Sequence, residues 1–197
     1  RITLHEQPKN TANNAVKYAD WAMGKFFEKA KQSDYWQDTV FLIVADHDNR
    51  VYGNNLIPVE KFRIPGLILG ADITPEVVET LSSQIDLAPT LLSLAGVSSC
   101  HTMTGRDLTL DKTSPGRALL QFENYFALMQ PDSLTILKPN EETVMAHYDE
   151  PAKELHLLDS PASTDQYKKA LAQVQLPSYL YRERKYSSQV ACLPPTK

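Results

Sequence analysis

A short apolar run that ends abruptly in polar residues constrains the fold of this chain more than any other feature. Thr39–Ala45 reads TVFLIVA, and Asp46–Arg50 reads DHDNR. An apolar run of this length, rich in β-branched residues, is typical of a strand buried on both faces in a parallel sheet. In open α/β sheets, ligands bind beyond the carboxyl ends of such strands. The sequence therefore predicts an α/β domain with candidate site residues directly after Ala45.

Helical periodicity and a second apolar run surround this strand. The elements predicted here are a helix through Val16–Ala30 capped by Thr11 or Asn13, a strand at Ile64–Gly70, a short helix at Thr74–Ser82, and a helix at Leu87–Ala95 between the N-cap Asp86 and the C-cap Gly96. Strands and helices in this arrangement indicate a mostly parallel sheet that is flanked by helices.

The pattern changes after Gly105, where short strands alternate with turns. Strands are predicted at Ala118–Met129, Ser133–Leu137, Thr143–Tyr148 and Glu154–Leu158, followed by a helix over residues 163–185 that is interrupted near Pro177. Consecutive short strands favour a small antiparallel meander. We therefore expect two parts, with residues 1–117 forming the α/β part and residues 118–197 forming the antiparallel sheet, the terminal helix and a tail.

Composition excludes several classes of function. The chain has 20 Lys and Arg against 24 Asp and Glu, a formal net charge of −4, and neither half is a basic patch, which argues against a nucleic-acid partner. No apolar run approaches the roughly 18–20 residues of a membrane span, and no signal peptide is present. The chain begins with Arg1 rather than Met, so we expect a processed or truncated product.

The sequence contains two cysteines, Cys100 and Cys192. They are too few for a disulfide scaffold, and the absence of a Cys-x-x-Cys pair argues against a zinc knuckle or a thioredoxin-type site. Counting alone leaves a disulfide between them and two unpaired thiols equally open.

Asp46 and His47 are the strongest candidates for chemistry. A carboxylate oxygen and an imidazole nitrogen together suit a zinc or manganese ion. The alternative is that Asp46 caps the following loop and His47 is a hydrogen-bonded surface residue. Arg50 beside them suits bidentate recognition of phosphate or sulfate, although a solvated loop arginine would look the same in sequence. Because a catalytic zinc takes three protein ligands, this pattern supplies only part of a site.

Four segments in chain order resemble motifs of the sulfatase and alkaline phosphatase superfamily. They are Asn14–Asp20, Phe41–His47, Gln84–Gly96 and Gly105–Leu108. Within that superfamily, Arg50–Gly53 and Leu56–Pro65 resemble the lipoteichoic acid synthase-like branch of membrane-anchored phosphoglycerol transferases, in its Gram-negative-type members. The resemblance implies an alkaline-phosphatase-like α/β fold, with residues 1–117 as the C-terminal half of the catalytic α/β domain.

The resemblance also implies roles for individual residues. Asp46 and His47 match the metal-binding pair of the superfamily, which implies manganese or zinc as the cofactor. Asn49 and Arg50 are candidate substrate contacts because they follow that pair directly. Asp48 stands where sulfatases commonly have Gly after Asp-His, which argues against a sulfate ester as the substrate.

Two further residues match positions that we interpret as structural. Asp86 is expected to be a helix cap, and Arg106 is expected to be a partner for carboxylates or carbonyls. Enzymes of this branch carry a Thr or Ser nucleophile and an acidic metal ligand well upstream, and no matching segment is present in this chain. The resemblance therefore implies the C-terminal portion of a catalytic domain, inactive and weak in metal binding without its N-terminal half.

The branch implies a setting as well as a reaction. A lipid or glycan phosphodiester is the expected substrate, and an N-terminal anchor outside this sequence would hold the domain at the extracytoplasmic, periplasmic face of the membrane. That compartment favours a disulfide between Cys100 and Cys192. The alternatives are a regulator that keeps the fold, binds lipid or a partner and has lost catalysis, and a sulfate-ester hydrolase.

Overall fold

The structure, a computed structural model, describes residues 8–48, 53, 55–140 and 142–186. Its helices are α1 (Ala12–Ala30), α2 (Leu87–Leu94) and α3 (Thr164–Arg182), and short 3₁₀ turns occur at Asp34–Asp38, Val59–Phe62 and Gln84–Asp86. Its strands are β1 (Phe41–Val44), β2 (Gly66–Leu69), β3 (Ala118–Phe122), β4 (Tyr125–Gln130), β5 (Ser133–Leu137), β6 (Val144–Asp149) and β7 (Glu154–Leu158). None of the helices in the described ranges is long and apolar enough to cross a membrane.

The first compact unit contains α1, the residues up to Phe41, and Ile68–Thr74. Thr11 is the N-cap of α1, as predicted, and its hydroxyl accepts a hydrogen bond from the backbone N–H of Asn14. Three aromatic rings, those of Phe26, Phe27 and Trp36, surround the ring of Phe41 with centroid distances of 5.9, 5.5 and 5.4 Å. The start of β1 is therefore held by aromatic contacts within this unit.

The apolar stripe of α1 is buried only in part. Ala30 is fully buried, whereas Val16, Met23 and Phe26 are 69%, 42% and 48% exposed. β1 is likewise half-buried instead of fully buried as predicted, and it pairs with β2 in a two-stranded sheet. Within the described residues, the N-terminal elements thus present an apolar surface to solvent.

The second compact unit contains the five-stranded antiparallel sheet, with the order β3-β4-β5-β6-β7. The predicted meander is confirmed. The predicted single strand Ala118–Met129 is wrong, because Phe122 pairs with Tyr125 and the chain reverses between them. Glu123 adopts a φ of 52° in this two-residue turn, a left-handed conformation that tight hairpins require.

Both faces of the central strand β5 are covered. Leu134 and Ile136 are 1% and 0% exposed and belong to a core cluster with Ile57, which precedes the second 3₁₀ turn. Thr135 faces the other side, where it contacts the sulfur of Met145, and α3 contacts β4 and β5. The terminal helix predicted from the sequence thus covers one face of the sheet.

Two other sequence predictions are wrong in detail. Thr74–Ser82 does not form a helix, because Leu81 pairs with Gly116 in a parallel bridge and its carbonyl accepts from the N–H of Arg117 at 2.9 Å. Pro177 does not interrupt the last helix, which continues to Arg182. A proline inside a helix removes one N–H donor, and α3 continues despite that loss.

Candidate metal centre

The turn after β1 carries both predicted metal ligands. Asp46 and His47 follow Val44 after a single residue, and their side chains are 88% and 67% exposed. The backbone N–H of His47 donates to Oδ1 of Asp46 at 3.0 Å, so the carboxylate folds back over the turn. The two functional groups are therefore on the same side of the chain and open to solvent.

The imidazole of His47 is held by its other nitrogen. Its Nδ1 lies 2.6 Å from the carbonyl oxygen of Asp48, and because a carbonyl only accepts, Nδ1 carries the proton. In the neutral ring, Nε2 then has a free lone pair, and it lies 3.5 Å from Oδ2 of Asp46. Metal-binding histidines commonly donate their second ring N–H to a backbone carbonyl in this way.

The spacing of these two atoms fits a shared ion. Zinc bonds of about 2.0–2.2 Å in tetrahedral geometry place two ligand atoms about 3.3 Å apart, close to the 3.5 Å between Nε2 of His47 and Oδ2 of Asp46. Among the described residues, no group of three or more His, Cys, Asp or Glu side chains is arranged to hold a metal. The described part of the chain therefore offers two candidate ligands at this position, fewer than a catalytic site needs.

The surroundings of His47 also favour positive charge. The hydrogen bond to the carbonyl of Asp48, followed by the charge of Asp46, raises the pKa of His47 above its ordinary value. The same carbonyl and carboxylate would favour a bound cation in place of the proton. A metal binds only the neutral imidazole. The binding of an ion at Nε2 of His47 would therefore release the proton that Nε2 carries in the charged ring.

Three of the predicted site residues lie outside the described residues. Asn49 and Arg50 belong to a range that the structure does not describe, and so does Cys192. Cys100 is described and is half-buried in the loop that follows α2. The roles of Asn49 and Arg50 in substrate binding, and the pairing of the two cysteines, therefore stay predictions.

One residue of the site had no role predicted from the sequence. The side-chain amide of Gln84 donates to the carbonyl oxygens of Ala45 at 3.0 Å and of Asp46 at 3.3 Å. The first carbonyl directly precedes Asp46 in the chain, and the second lies between Asp46 and His47. Its position at the start of the Gln84–Gly96 motif was the signal in the sequence that could have drawn attention to it.

Asp86 is the centre of a buried ion cluster. It is 0% exposed, and its carboxylate accepts from the N–H of Ser83 at 2.9 Å and from the N–H of Arg106 at 2.7 Å. The guanidinium groups of Arg106 and Arg117 lie 3.4 and 3.2 Å from the same carboxylate. Asp86 is the N-cap residue of α2, as expected, but its side chain makes no capping bond to that helix and instead accepts from the N–H of Ser83, the N-cap residue of the preceding 3₁₀ turn.

The prediction for Arg106 is confirmed. It contacts the carboxylates of Asp86 and Asp111 and donates to the carbonyl of Leu81 at 3.0 Å. Gly105 allows the approach, since a Cβ there would lie 1.9 Å from the carbonyl oxygen of Ile85. The segments around residues 81–86 and 104–106 are therefore in direct backbone contact.

Comparisons with known proteins agree with this fold. The family model described as Sulfatase matches residues 3–97. A crystal structure of a protein in the alkaline phosphatase superfamily from Vibrio parahaemolyticus superposes with a TM-score of 0.86 and 41% identity, covering 95% of this chain and 46% of that one. This chain is similar to proteins of the sulfatase and alkaline phosphatase superfamily. The α/β fold class predicted from the sequence is thereby confirmed.

Two further relatives within the superfamily are more distant. The multifunctional alkaline phosphatase superfamily protein PehA of Trinickia caryophylli is 25% identical over 79% of this chain and 33% of its own length. The choline-sulfatase of Rhizobium meliloti (strain 1021) is 30% identical over 42% of this chain and 17% of its own length. The chain thus spans about a third of the length of PehA and less than half of the Vibrio structure.

Proposed function

We propose that this chain is the C-terminal part of the catalytic domain of a metal-dependent phosphoglycerol transferase or a related phosphodiester-cleaving enzyme. The observation that carries the proposal is the Asp46–His47 pair at the end of β1, with Nε2 and Oδ2 at 3.5 Å and Nδ1 bonded to a carbonyl. The substrate would be a lipid or glycan phosphodiester, and the domain would act at the extracytoplasmic face of a membrane through an N-terminal anchor.

In this mechanism the chain would bind the metal ion and orient the phosphoryl group of the substrate. Asp46 and His47 would hold manganese or zinc, and the ion would lower the pKa of the nucleophile and stabilise charge on the phosphoryl oxygens. The carbonyl of Asp48 holds the proton on Nδ1 of His47, which keeps the Nε2 lone pair turned toward Asp46. Asn49 and Arg50 would contact the phosphoryl oxygens.

The covalent step needs a group from elsewhere in the protein. A Thr or Ser hydroxyl upstream of this chain would lose its proton and bond to phosphorus, while the bond to the leaving alcohol breaks and that alcohol takes up a proton. An acceptor hydroxyl, or water, would then release the phosphoryl group from that residue. We propose that the chain alone does not turn over substrate, because the described residues supply two ligands and no third.

The test is turnover by the complete protein with Mn²⁺ or Zn²⁺. We expect hydrolysis of bis-(p-nitrophenyl) phosphate, measured as release of p-nitrophenol. His47→Ala and Asp46→Asn should each lower kcat/KM at least about 100-fold, because loss of even an outer-shell partner of a metal ligand costs 10–100-fold.

The matched controls are His101→Ala and Asp159→Asn, which change exposed residues of the same types outside the turn after β1. They should retain activity within about twofold. Unchanged turnover in both ligand variants would contradict the assignment of the metal pair. A wild-type protein that folds with metal yet cleaves no ester would instead favour the non-catalytic regulator.

A sulfate ester is the second candidate substrate. The match to the Sulfatase model and the likeness to a choline-sulfatase support it, whereas Asp48, in place of the glycine common in sulfatases, argues against it. Assays with p-nitrophenyl sulfate, run beside those with bis-(p-nitrophenyl) phosphate, distinguish a sulfatase from a phosphodiester-cleaving enzyme. We expect a kcat/KM at least about tenfold lower for the sulfate ester than for the phosphodiester, and the reverse order would favour the sulfatase.

A further inference from the structure

The turn that presents Asp46 and His47 has side-chain support from a distant part of the sequence. Gln84 is 38 residues beyond Asp46, yet its Nε2 lies 3.0 Å from the carbonyl oxygen of Ala45 and 3.3 Å from that of Asp46. A primary amide has two N–H donors, so one side chain can bond both carbonyls at once. The end of β1 is thereby tied to the 3₁₀ turn Gln84–Asp86.

That 3₁₀ turn is itself held tightly. The carboxylate of Asp86 accepts from Ser83 N–H at 2.9 Å and from Arg106 N–H at 2.7 Å, and the Asp86 carbonyl accepts from the Thr90 hydroxyl at 2.7 Å. Arg117 adds a further ionic contact at 3.2 Å. Charge-assisted bonds of this kind in a buried setting fix the residues around them.

The antiparallel sheet is connected to the same turn. Arg117 directly precedes β3, and the N–H of Leu119, in β3, donates to the hydroxyl of Ser83 at 3.1 Å. Ser83 and Gln84 are adjacent, so the sheet and the backbone of Ala45 and Asp46 bond neighbouring residues of one short segment. The C-terminal sheet therefore supports the end of β1 through residues 83–86.

We propose that Gln84 is a positioning residue for the metal pair: its amide fixes the backbone from which Asp46 and His47 extend, and the Asp86 cluster fixes Gln84. This inference rests on the proposed metal role of Asp46 and His47. Gln84 touches neither ligand side chain, so its effect is on their orientation. Loss of a side chain that orients a metal-binding residue commonly weakens metal affinity 10–100-fold.

The test compares Mn²⁺ binding by calorimetry in the complete wild-type protein and in Gln84→Met, which keeps the length of the side chain and removes both donors. We expect at least about tenfold weaker binding. Because Gln84 is exposed, the melting temperature should move by no more than about 3 °C. Gln84→Glu, which also lacks the donors, should weaken binding to a similar degree, and Gln175→Met, an exposed glutamine of α3, should bind as wild type.

The visible spectrum of the Co²⁺-loaded protein supplies a second measurement. It reports the geometry of the metal ligands, so it should not change if Gln84 affects only the stability of the fold. We expect an altered spectrum in Gln84→Met and an unchanged one in Gln175→Met. If Gln84→Met and Gln84→Glu bind Mn²⁺ as wild type while His47→Ala loses binding, the positioning role is wrong and the metal site stands. If His47→Ala also binds as wild type, the proposed metal site itself fails.

Discussion

Asp86→Ala is expected to lower the free energy of unfolding by about 3–5 kcal/mol, the largest effect of any single substitution considered for this chain. Asp86 is 0% exposed, and the side chains of Arg106 and Arg117 that face it are only 20% and 12% exposed. Removing one partner of a buried ion pair leaves the other charge without compensation in a poorly solvated place. Here one deletion would remove the carboxylate that faces both guanidinium groups, and of its two carboxylate contacts Arg106 would keep only the one with Asp111.

The backbone adds to this cost. The N–H groups of Ser83 and Arg106 both bond the Asp86 carboxylate, so the alanine variant also leaves two backbone donors without their acceptor. Arg106 already has one unsatisfied donor, because its Nε is buried without a hydrogen-bond partner among the described residues. The loss should therefore exceed that of a simple surface ion pair, which is worth at most about 1 kcal/mol.

Urea unfolding followed by circular dichroism measures the effect. Asp86→Asn, which keeps the shape and one acceptor oxygen, should lose less stability than Asp86→Ala. Asp159→Asn, at an exposed site, should change the free energy of unfolding by less than about 0.5 kcal/mol. An Asp86→Ala protein within 1 kcal/mol of wild type would show that the cluster adds no net stability.

Gly105→Ala is expected to cost about 3 kcal/mol or more, the second largest effect. An added Cβ would lie 1.9 Å from the carbonyl oxygen of Ile85 and 2.6 Å from its carbonyl carbon. Both are backbone atoms, so neither can move aside by changing a rotamer. The substitution should separate the segments that Arg106 N–H and the Asp86 carboxylate join at 2.7 Å.

A second glycine gives the matched control. Gly24 lies inside α1, and an added Cβ there would meet nothing within 4 Å. Because alanine is the better helix former, Gly24→Ala should stabilise the protein by about 0.5–1 kcal/mol, opposite in sign to Gly105→Ala. Thermal unfolding of the two variants side by side checks both. Equal melting temperatures would mean that the close approach at Gly105 relaxes without cost.

Periodicity in the sequence is sufficient to predict the elements whose signal is local. The run that ends at Ala45 located the strand and the candidate ligand pair after it, and the short strands after Gly105 predicted the meander. The break at Glu123 was missed, because the turn there is made by Glu-Asn and contains no glycine or proline. A capping Thr-Pro pair is a local signal that predicts a helix at Thr74–Ser82, whereas the bridge from Leu81 to Gly116 has no local signal in the sequence.

The supporting contacts of the site could not be predicted for the same reason. Gln84 bonds carbonyls 38 and 39 residues earlier, and Arg117 meets Asp86 across 31 residues. No spacing rule connects residues at such separations, so only the folded chain brings them together. The type of residue was informative in two cases, since superfamily motifs singled out Asp86 and Arg106 as structural, although the Asp86 side chain bonds Ser83 and not α2.

The exposed face of α1 has a practical consequence for work with this chain in isolation. Val16, Met23 and Phe26 recur at helical spacing and present apolar surface to water on one face of the helix, and surface of that kind promotes association between molecules. A preparation of the 197-residue chain should therefore bind hydrophobic dyes and become turbid as its concentration rises. Charged substitutions at Val16 and Met23 offer a direct way to keep it in solution.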